Sequence, residues 1–203
     1  HLIDDRQSGG IRHHWLPTEQ LYDLTMPALS LRDAAPAASI LRECAPDLVL
    51  FADGCPLSSL AAKGYCHRHG IPFLVLVHCV YEGWQHDFAE QLPALAQCYQ
   101  HALEVIAVSK DNLQLLRDCF ALGRDKGRVI YNGRPASFFS AVDPEQRQQQ
   151  RKAMGLGPDS VLCLSVGRME PVKGYQYQLE AMRALMRCPG WMKLHFQIGR
   201  AHV

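Results

Sequence analysis

Arg168 and Lys173 form a pair of cations in a loop between a strand-like apolar run and a helix-like stretch, in the segment SVGRMEPVKG. Ligands of parallel sheets bind where strands end, and a helix N-terminus adds backbone amides and a favourable dipole. Two positive side chains at such a point suit a diphosphate, and Gly174 would allow the backbone to come close to it. We therefore predict a phosphate-binding loop here; a surface loop with two solvated cations is the alternative.

A pair of glycines marks a second candidate loop. Gly9 and Gly10 follow a short strand-like piece, HLID, and precede a helix-like stretch. Glycines at that place allow positive φ and leave their amides free for a ligand oxygen. The position predicts a ligand-binding loop, and an ordinary turn is the alternative. Pro17 would kink or shorten the helix that follows.

The elements that position these loops alternate along the chain. Most of the apolar runs are almost continuous, which is typical of strands buried on both faces of a parallel sheet. The predicted strands are Asp47–Asp53, Pro72–His78, Glu104–Ser109, Arg128–Tyr131 and Ser160–Val166. The predicted helices are Ala38–Ala45, Ser58–His69, Ser109–Cys119 and Lys173–Arg187. Strands and helices in alternation predict a doubly wound, Rossmann-like α/β sheet.

A polar, glutamine-rich segment from about Arg134 to Asp159 interrupts this alternation. It shows no strand signal, and a strand restarts directly after it. The interruption predicts two domains, with residues 1–134 as the first, 135–159 as an interdomain linker and 160–203 as the start of the second. One long surface excursion within a single domain is the alternative.

The composition excludes some classes of partner. Among 203 residues, 21 are basic and 20 acidic, so there is no electrostatic case for nucleic acid or an anionic membrane surface. The eight cysteines form no C-x-x-C pair, and we expect them to be reduced. Neither His13 with His14 nor His67 with His69 has the spacing of a helical zinc site, and no Asp-x-Asp occurs. The sequence therefore predicts no metal and no other cofactor.

The segment VIYNG at Val129–Gly133, together with the later SVLCLSVGRMEPVKG, resembles the signature that joins the two domains of glycosyltransferase family 4. The resemblance implies a GT-B architecture with two Rossmann-like domains. It implies that Arg168 and Lys173, beside Gly174, contact the donor diphosphate and stabilise it as it leaves. Gly9 and Gly10 resemble the glycine-rich loop by which the first domain meets the donor phosphate or the acceptor.

His78 ends the run PFLVLVH, where the family has a histidine that points into the cleft near the transferred sugar or the acceptor. The resemblance implies a catalytic role for His78; a core histidine or a cap is the simpler interpretation without it. Tyr81 and Glu82 follow in a loop that would shape the acceptor site. Ser109 matches the serine after the family's next strand, where capping a helix is the simpler role and contact with the cleft the second.

Part of the family's pattern has no counterpart here. The donor domain normally continues with more strands and helices, and it carries a Glu-x7-Glu segment that holds the donor sugar and the nucleotide. The ending IGRAHV looks like the translation of a sequencing-library adapter, so we expect residues 198–203 to be artefactual. We accordingly expect this chain to be an inactive fragment of a longer enzyme.

The function expected of the parent is that of a retaining, metal-independent hexosyltransferase. It would move a sugar from a nucleoside-diphosphate sugar to a glycan, lipid or small-molecule acceptor. The resemblance also implies a cytoplasmic protein with peripheral contact at the inner face of the membrane. A sugar-nucleotide epimerase of GT-B type and a non-catalytic binding or scaffold protein are the alternatives.

Overall fold

The structure is a computed structural model that describes residues 9–12, 14, 31–188 and 194–200. The chain divides into two compact units, His1–Gly133 and Arg134–Val203. Each unit contains parallel strands and helices of its own.

The first unit alternates strands and helices along the chain. Its described elements are α1 (Ala35–Cys44), β1 (Val49–Asp53), α2 (Leu60–Arg68), β2 (Phe73–Val77), the short α3 (Trp84–Asp87), α4 (Leu92–His101), β3 (Glu104–Ala107), α5 (Lys110–Cys119) and β4 (Arg128–Val129). The four strands form one parallel sheet in the order β1-β2-β3-β4. Val49 lies opposite Phe73 and Asp53 opposite Val77, so β1 and β2 end at the same edge. The predicted parallel α/β class is therefore confirmed.

The core of the first unit joins alternate residues of the central strands to the helices. Phe73, Val75 and Val77 of β2 are buried, whereas Leu74 and Leu76 are only half-buried. The continuous apolar runs predicted burial on both faces, and the second face of β2 is only partly buried. The helices contribute buried side chains to the same cluster, among them Leu60, Cys66, Leu95, Tyr99 and Leu116.

Helix α4 is an element that the sequence pattern did not predict. Pro93 stands in its first turn, where a missing N–H costs little. Leu95, Cys98 and Tyr99 are its buried residues, and the helix packs against α2. Since parallel neighbours need a crossover, α4 supplies the connection between β2 and β3.

The second unit carries a smaller parallel sheet. Its described elements are a 3-10 turn at Ala136–Phe139, α6 (Pro144–Ala153), β5 (Val161–Gly167), a 3-10 turn at Pro171–Lys173, α7 (Tyr175–Leu185) and β6 (Leu194–Arg200). β5 and β6 pair in parallel up to Gly167 and Arg200, with α7 between them in the chain. The segment predicted as a linker, 135–159, contains the first 3-10 turn and α6. Residues 198–200 continue β6.

Apolar side chains of β5 are largely exposed. Val161, Leu164 and Val166 expose 52%, 59% and 64% of their surface. A two-stranded sheet offers too little area to cover both of its faces. The second unit therefore presents apolar surface along β5.

Candidate functional site

His78 lies directly beyond the end of β2, at the carboxyl edge of the sheet of the first unit. Its N–H donates to the carbonyl of Asp53, the last residue of β1, at 2.9 Å. Its own carbonyl accepts a hydrogen bond from Nδ2 of Asn112 at 3.1 Å, and Asn112 stands in the first turn of α5. The peptide of His78 is thus held on both sides while its side chain is exposed.

Ser109 caps α5. Its Oγ accepts a hydrogen bond from the N–H of Asn112 at 3.0 Å, and its backbone is extended, as expected for an N-cap. The predicted capping role of Ser109 is therefore confirmed. The cap fixes the turn that carries Asn112, so Ser109 is connected to His78 through Asn112. Asn112 was not predicted from the sequence, although its place three residues after a capping serine was an available signal.

A buried ion pair lies at the same edge of the sheet. Nζ of Lys63 lies 2.5 Å from Oδ2 of Asp53, and the two side chains are 0% and 2% exposed. Nζ also donates to the carbonyls of Pro56 at 3.2 Å and Ser58 at 2.7 Å. Lys63 therefore fixes the loop between β1 and α2.

Burial also changes the acid-base behaviour of this pair. Loss of hydration raises the pKa of Asp53 from 3.8 to about 6, and the charge and hydrogen-bonding capacity of Lys63 oppose that rise. Nearby, burial raises the pKa of Tyr99 well above its ordinary value, and the carboxylate of Asp53 adds to the effect. Neither Asp53 nor Lys63 was predicted from the sequence as a site residue.

The loop after His78 carries the two residues predicted for the acceptor site. Tyr81 is 45% exposed, and its ring meets the ring of Trp84 edge-on, with centroids 4.8 Å apart. Glu82 is exposed. Burial raises the pKa of Cys119 at the end of α5, and the carboxylate of Glu82 adds to that rise. The loop therefore presents one aromatic and one acidic side chain to solvent.

Gly9 and Gly10 form an exposed turn, in which Gly10 has φ of 79°. A Cβ on Gly10 would meet no atom within 4 Å, so none of the described residues packs closely against it. The strand-like HLID and Pro17 lie outside the described residues. A ligand-binding role for this turn stays a prediction.

Arg168, Lys173 and Gly174 lie in the loop between β5 and α7 of the second unit. The N–H of Glu170 donates to the carbonyl of Arg168, and the N–H of Lys173 donates to that of Glu170, both at 2.9 Å. Nη1 of Arg168 also pairs with Oε1 of Glu170 at 2.9 Å. Gly174 has φ of 67°, in the left-handed region that favours glycine, and it leads into α7. Both predicted cations therefore stand between a strand end and a helix N-terminus.

Tyr175 comes very close to the backbone at the end of β5. A Cβ on Gly167 would lie 2.8 Å from Oη of Tyr175, well inside contact distance. Tyr175 is the first residue of α7, and its side chain is 6% exposed. Glycine at position 167 therefore lets α7 begin directly over the strand end. The sequence alone did not mark Gly167 as a point of close approach.

The described residues also bear on metal binding, thiol chemistry and membrane insertion. No three His, Cys, Asp or Glu side chains are grouped there as a metal site requires. All eight cysteines lie within the described ranges, and none of them forms a disulfide bond there. Burial raises the pKa of Cys66 to about 11, so that thiol is an apolar core group and a poor nucleophile. No described helix has both the length and the apolar character to cross a bilayer.

The chain is similar to known glycosyltransferases. An uncharacterized glycosyltransferase of Methanocaldococcus jannaschii is 33% identical over 84 residues, which are 41% of this chain and 22% of that protein. A D-inositol 3-phosphate glycosyltransferase of Jonesia denitrificans is 29% identical over 92 residues, 45% of this chain and 22% of that protein. The crystal structure of a glycosyltransferase from Rickettsia africae matches with a TM-score of 0.61 and 15% identity, over 98% of this chain and 57% of that one.

These matches differ in what they establish. At 15% identity, the crystal structure shows the fold alone, a Rossmann-like fold of GT-B type. The matched part spans about a fifth of the length of the curated relatives, 22% in each case. Residues 3–138 match the sequence model of Glycosyltransferase Family 4, and they include His78 and Ser109. Since that match covers more than half of the sequence, the chain belongs to glycosyltransferase family 4.

Proposed function

We propose that this chain serves in the transfer of a sugar from a nucleoside-diphosphate sugar to a glycan, lipid or small-molecule acceptor. Membership of glycosyltransferase family 4 supports sugar transfer. The observation that carries the choice of donor is the loop from Arg168 to Gly174, where two cations stand between a strand end and a helix N-terminus. This place and this charge suit a diphosphate.

The loop can offer both cations to a ligand. The side chain of Arg168 is 59% exposed, and Lys173 is exposed as well. Lys173 forms no ion pair with any residue that the structure describes. Gly167 and Gly174 have no side chains, so neither residue blocks the access of a ligand to the backbone of the loop. A diphosphate could therefore take charge-assisted hydrogen bonds from both side chains and approach the start of α7.

The reaction we propose retains the configuration at the sugar's anomeric carbon. The bond from that carbon to the diphosphate oxygen breaks, and its electron pair leaves with the diphosphate. The acceptor oxygen forms the new bond to the same carbon and gives up its proton. Because negative charge develops on the departing diphosphate, cations that already stand beside it lower the barrier. Arg168 and Lys173 fill that role in our proposal.

The first unit would contribute the acceptor side. His78 exposes its imidazole at the carboxyl edge of the sheet, where ligands of open α/β sheets bind. Tyr81 and Glu82 add an aromatic and an acidic group in the loop that follows. Gly9 and Gly10 would supply backbone amides to a phosphate or acceptor oxygen.

Titration calorimetry of the 203-residue chain with UDP, GDP and ADP, and with the corresponding sugar nucleotides, tests the donor site. We expect one saturable site. Arg168→Ala and Lys173→Ala should each weaken it by about tenfold to a hundredfold, the range for losing a hydrogen bond to a charged group. Arg183→Ala removes an exposed arginine from α7 and should leave the affinity unchanged. No saturable binding of any of these nucleotides would contradict the assignment.

The relatives described above are glycosyltransferases, which favours transfer over a sugar-nucleotide epimerase or a non-catalytic scaffold. Product analysis separates the three, because an epimerase converts the donor without an acceptor and a scaffold converts nothing. Our proposal includes no metal, so a chelator such as EDTA should not lower the rate. It also places the protein in the cytoplasm with peripheral contact at the inner membrane face, which cell fractionation tests.

A further inference from the structure

We propose that Glu170 sets the affinity of the phosphate-binding loop by pairing with Arg168 whenever no phosphate is bound. This inference rests on the donor site proposed above and names a residue that tunes it. Oε1 of Glu170 lies 2.9 Å from Nη1 of Arg168. Arg168 is one of the two cations that the loop offers to a diphosphate. The carboxylate and the phosphate therefore compete for one guanidinium group.

The backbone of the loop keeps Glu170 beside Arg168. The N–H of Glu170 donates to the carbonyl of Arg168, and the carbonyl of Glu170 accepts from the N–H of Lys173. Pro171 follows with its restricted φ and begins the 3-10 turn. These two backbone hydrogen bonds hold Glu170 in the turn, two positions after Arg168, where its carboxylate can reach the guanidinium group. The loop therefore keeps the carboxylate of Glu170 within reach of Arg168.

The carboxylate reduces the charge that a ligand meets. Arg168 and Lys173 carry two positive charges between them, and Glu170 lowers the net charge of the loop to one. The side chains of Arg168 and Glu170 are 59% and 40% exposed, so water screens their attraction and the pair can open. A diphosphate can therefore displace the carboxylate, but it binds less tightly than it would without this competitor. Weaker binding also favours release of the diphosphate product.

Glu170→Gln tests the inference, because it keeps the size of the side chain and removes its charge. In titrations of the 203-residue chain with UDP, GDP and ADP, we expect Kd at low salt to fall about two- to fivefold, the worth of an exposed ion pair. The gain should largely disappear at about 1 M salt, where the Debye length is only about 3 Å. Glu180→Gln removes the same charge from an exposed position on α7 and should leave Kd unchanged.

A double variant shows whether Glu170 acts through Arg168. Arg168→Ala/Glu170→Gln should bind no more tightly than Arg168→Ala, because the competition no longer exists. If Glu170→Gln binds like the parent chain, or if its gain persists without Arg168, the inference is overturned and the donor site remains. If neither the parent chain nor any variant binds these nucleotides, both the donor site and the inference are overturned.

Discussion

The ammonium group of Lys63 and the carboxylate of Asp53 form an ion pair 2.5 Å long in the interior of the first unit. The backbone carbonyl of Asp53 also accepts a hydrogen bond from the N–H of His78. Lys63 in turn donates to the carbonyls of Pro56 and Ser58. One buried cation therefore stabilises both the loop after β1 and the strand end on which His78 is held.

Lys63→Met should destabilise the first unit by about 3–5 kcal/mol, because it leaves a buried carboxylate without its partner. The variant keeps a side chain of similar length, so the loss is mainly electrostatic. Chemical denaturation at pH 8, where Asp53 is ionised, measures the free energy of unfolding.

Two further variants control this experiment. Lys110→Met removes an exposed lysine of the same unit and should change stability by less than about 0.5 kcal/mol. Asp53→Leu/Lys63→Met removes both charges and should be more stable than Lys63→Met alone. A single Lys63→Met variant as stable as the parent chain would show that the pair contributes little.

The raised pKa of Asp53 predicts a dependence of stability on pH. Its pKa is about 6 in the folded chain against an ordinary value of 3.8, so the folded state binds the proton more tightly. The resulting stabilisation is complete below about pH 4 and is lost as pH rises through 6, a difference of up to about 3 kcal/mol. Denaturation curves of the parent chain and Asp53→Asn from pH 4.5 to 7.5 measure it. We expect the variant to lack this component, and parallel pH profiles would contradict the assignment.

Gly167→Ala should distort the start of α7. The new Cβ would lie 2.8 Å from Oη of Tyr175, so the tyrosine must move, at a cost of about 1–3 kcal/mol. Tyr175→Phe removes the hydroxyl and should restore much of that loss in the double variant. Hydrogen exchange of the β5 amides measures the stability of the second unit separately. Equal protection in the parent chain and Gly167→Ala would show that the strand end adapts freely.

Arg168→Ala and Lys173→Ala should each lower the turnover of glycosyl transfer by about tenfold to a thousandfold, as expected for one group that stabilises a leaving charge. The measurement is kcat in the protein that carries this sequence, with donor at saturation. Arg183→Ala again serves as the control. Turnover in both variants near that of the unsubstituted protein would exclude these cations from the reaction.

Local patterns explain why much of the fold was predictable. Each strand lies within a short, mainly apolar run, and the predicted and observed strand ends differ by at most two residues. Ser109 was predictable as a cap because a serine directly before a helix is itself a local signal. Helix α4 was not predicted, because a proline and several polar residues interrupt the apolar pattern of the side chains that face the core.

Long-range contacts explain what the sequence could not predict. The hydrogen bond from Asn112 to His78 joins residues 34 positions apart, and no periodicity relates them. The pairing of Lys63 with Asp53 arises only when α2 packs against the sheet. The contact of Tyr175 with Gly167 depends on the direction in which the chain leaves β5. Residue types at the site were thus visible in the sequence, whereas the residues that hold them were not.

The backbone of His78 is fixed by hydrogen bonds that do not involve its side chain. Its N–H and its carbonyl make the contacts to β1 and α5, and neither contact uses the imidazole. Position 78 could therefore change its side chain during evolution while the edge of the sheet kept its geometry. In our proposal His78 lies on the acceptor side, so a saturation library at this position should yield folded proteins that differ mainly in how they use the acceptor.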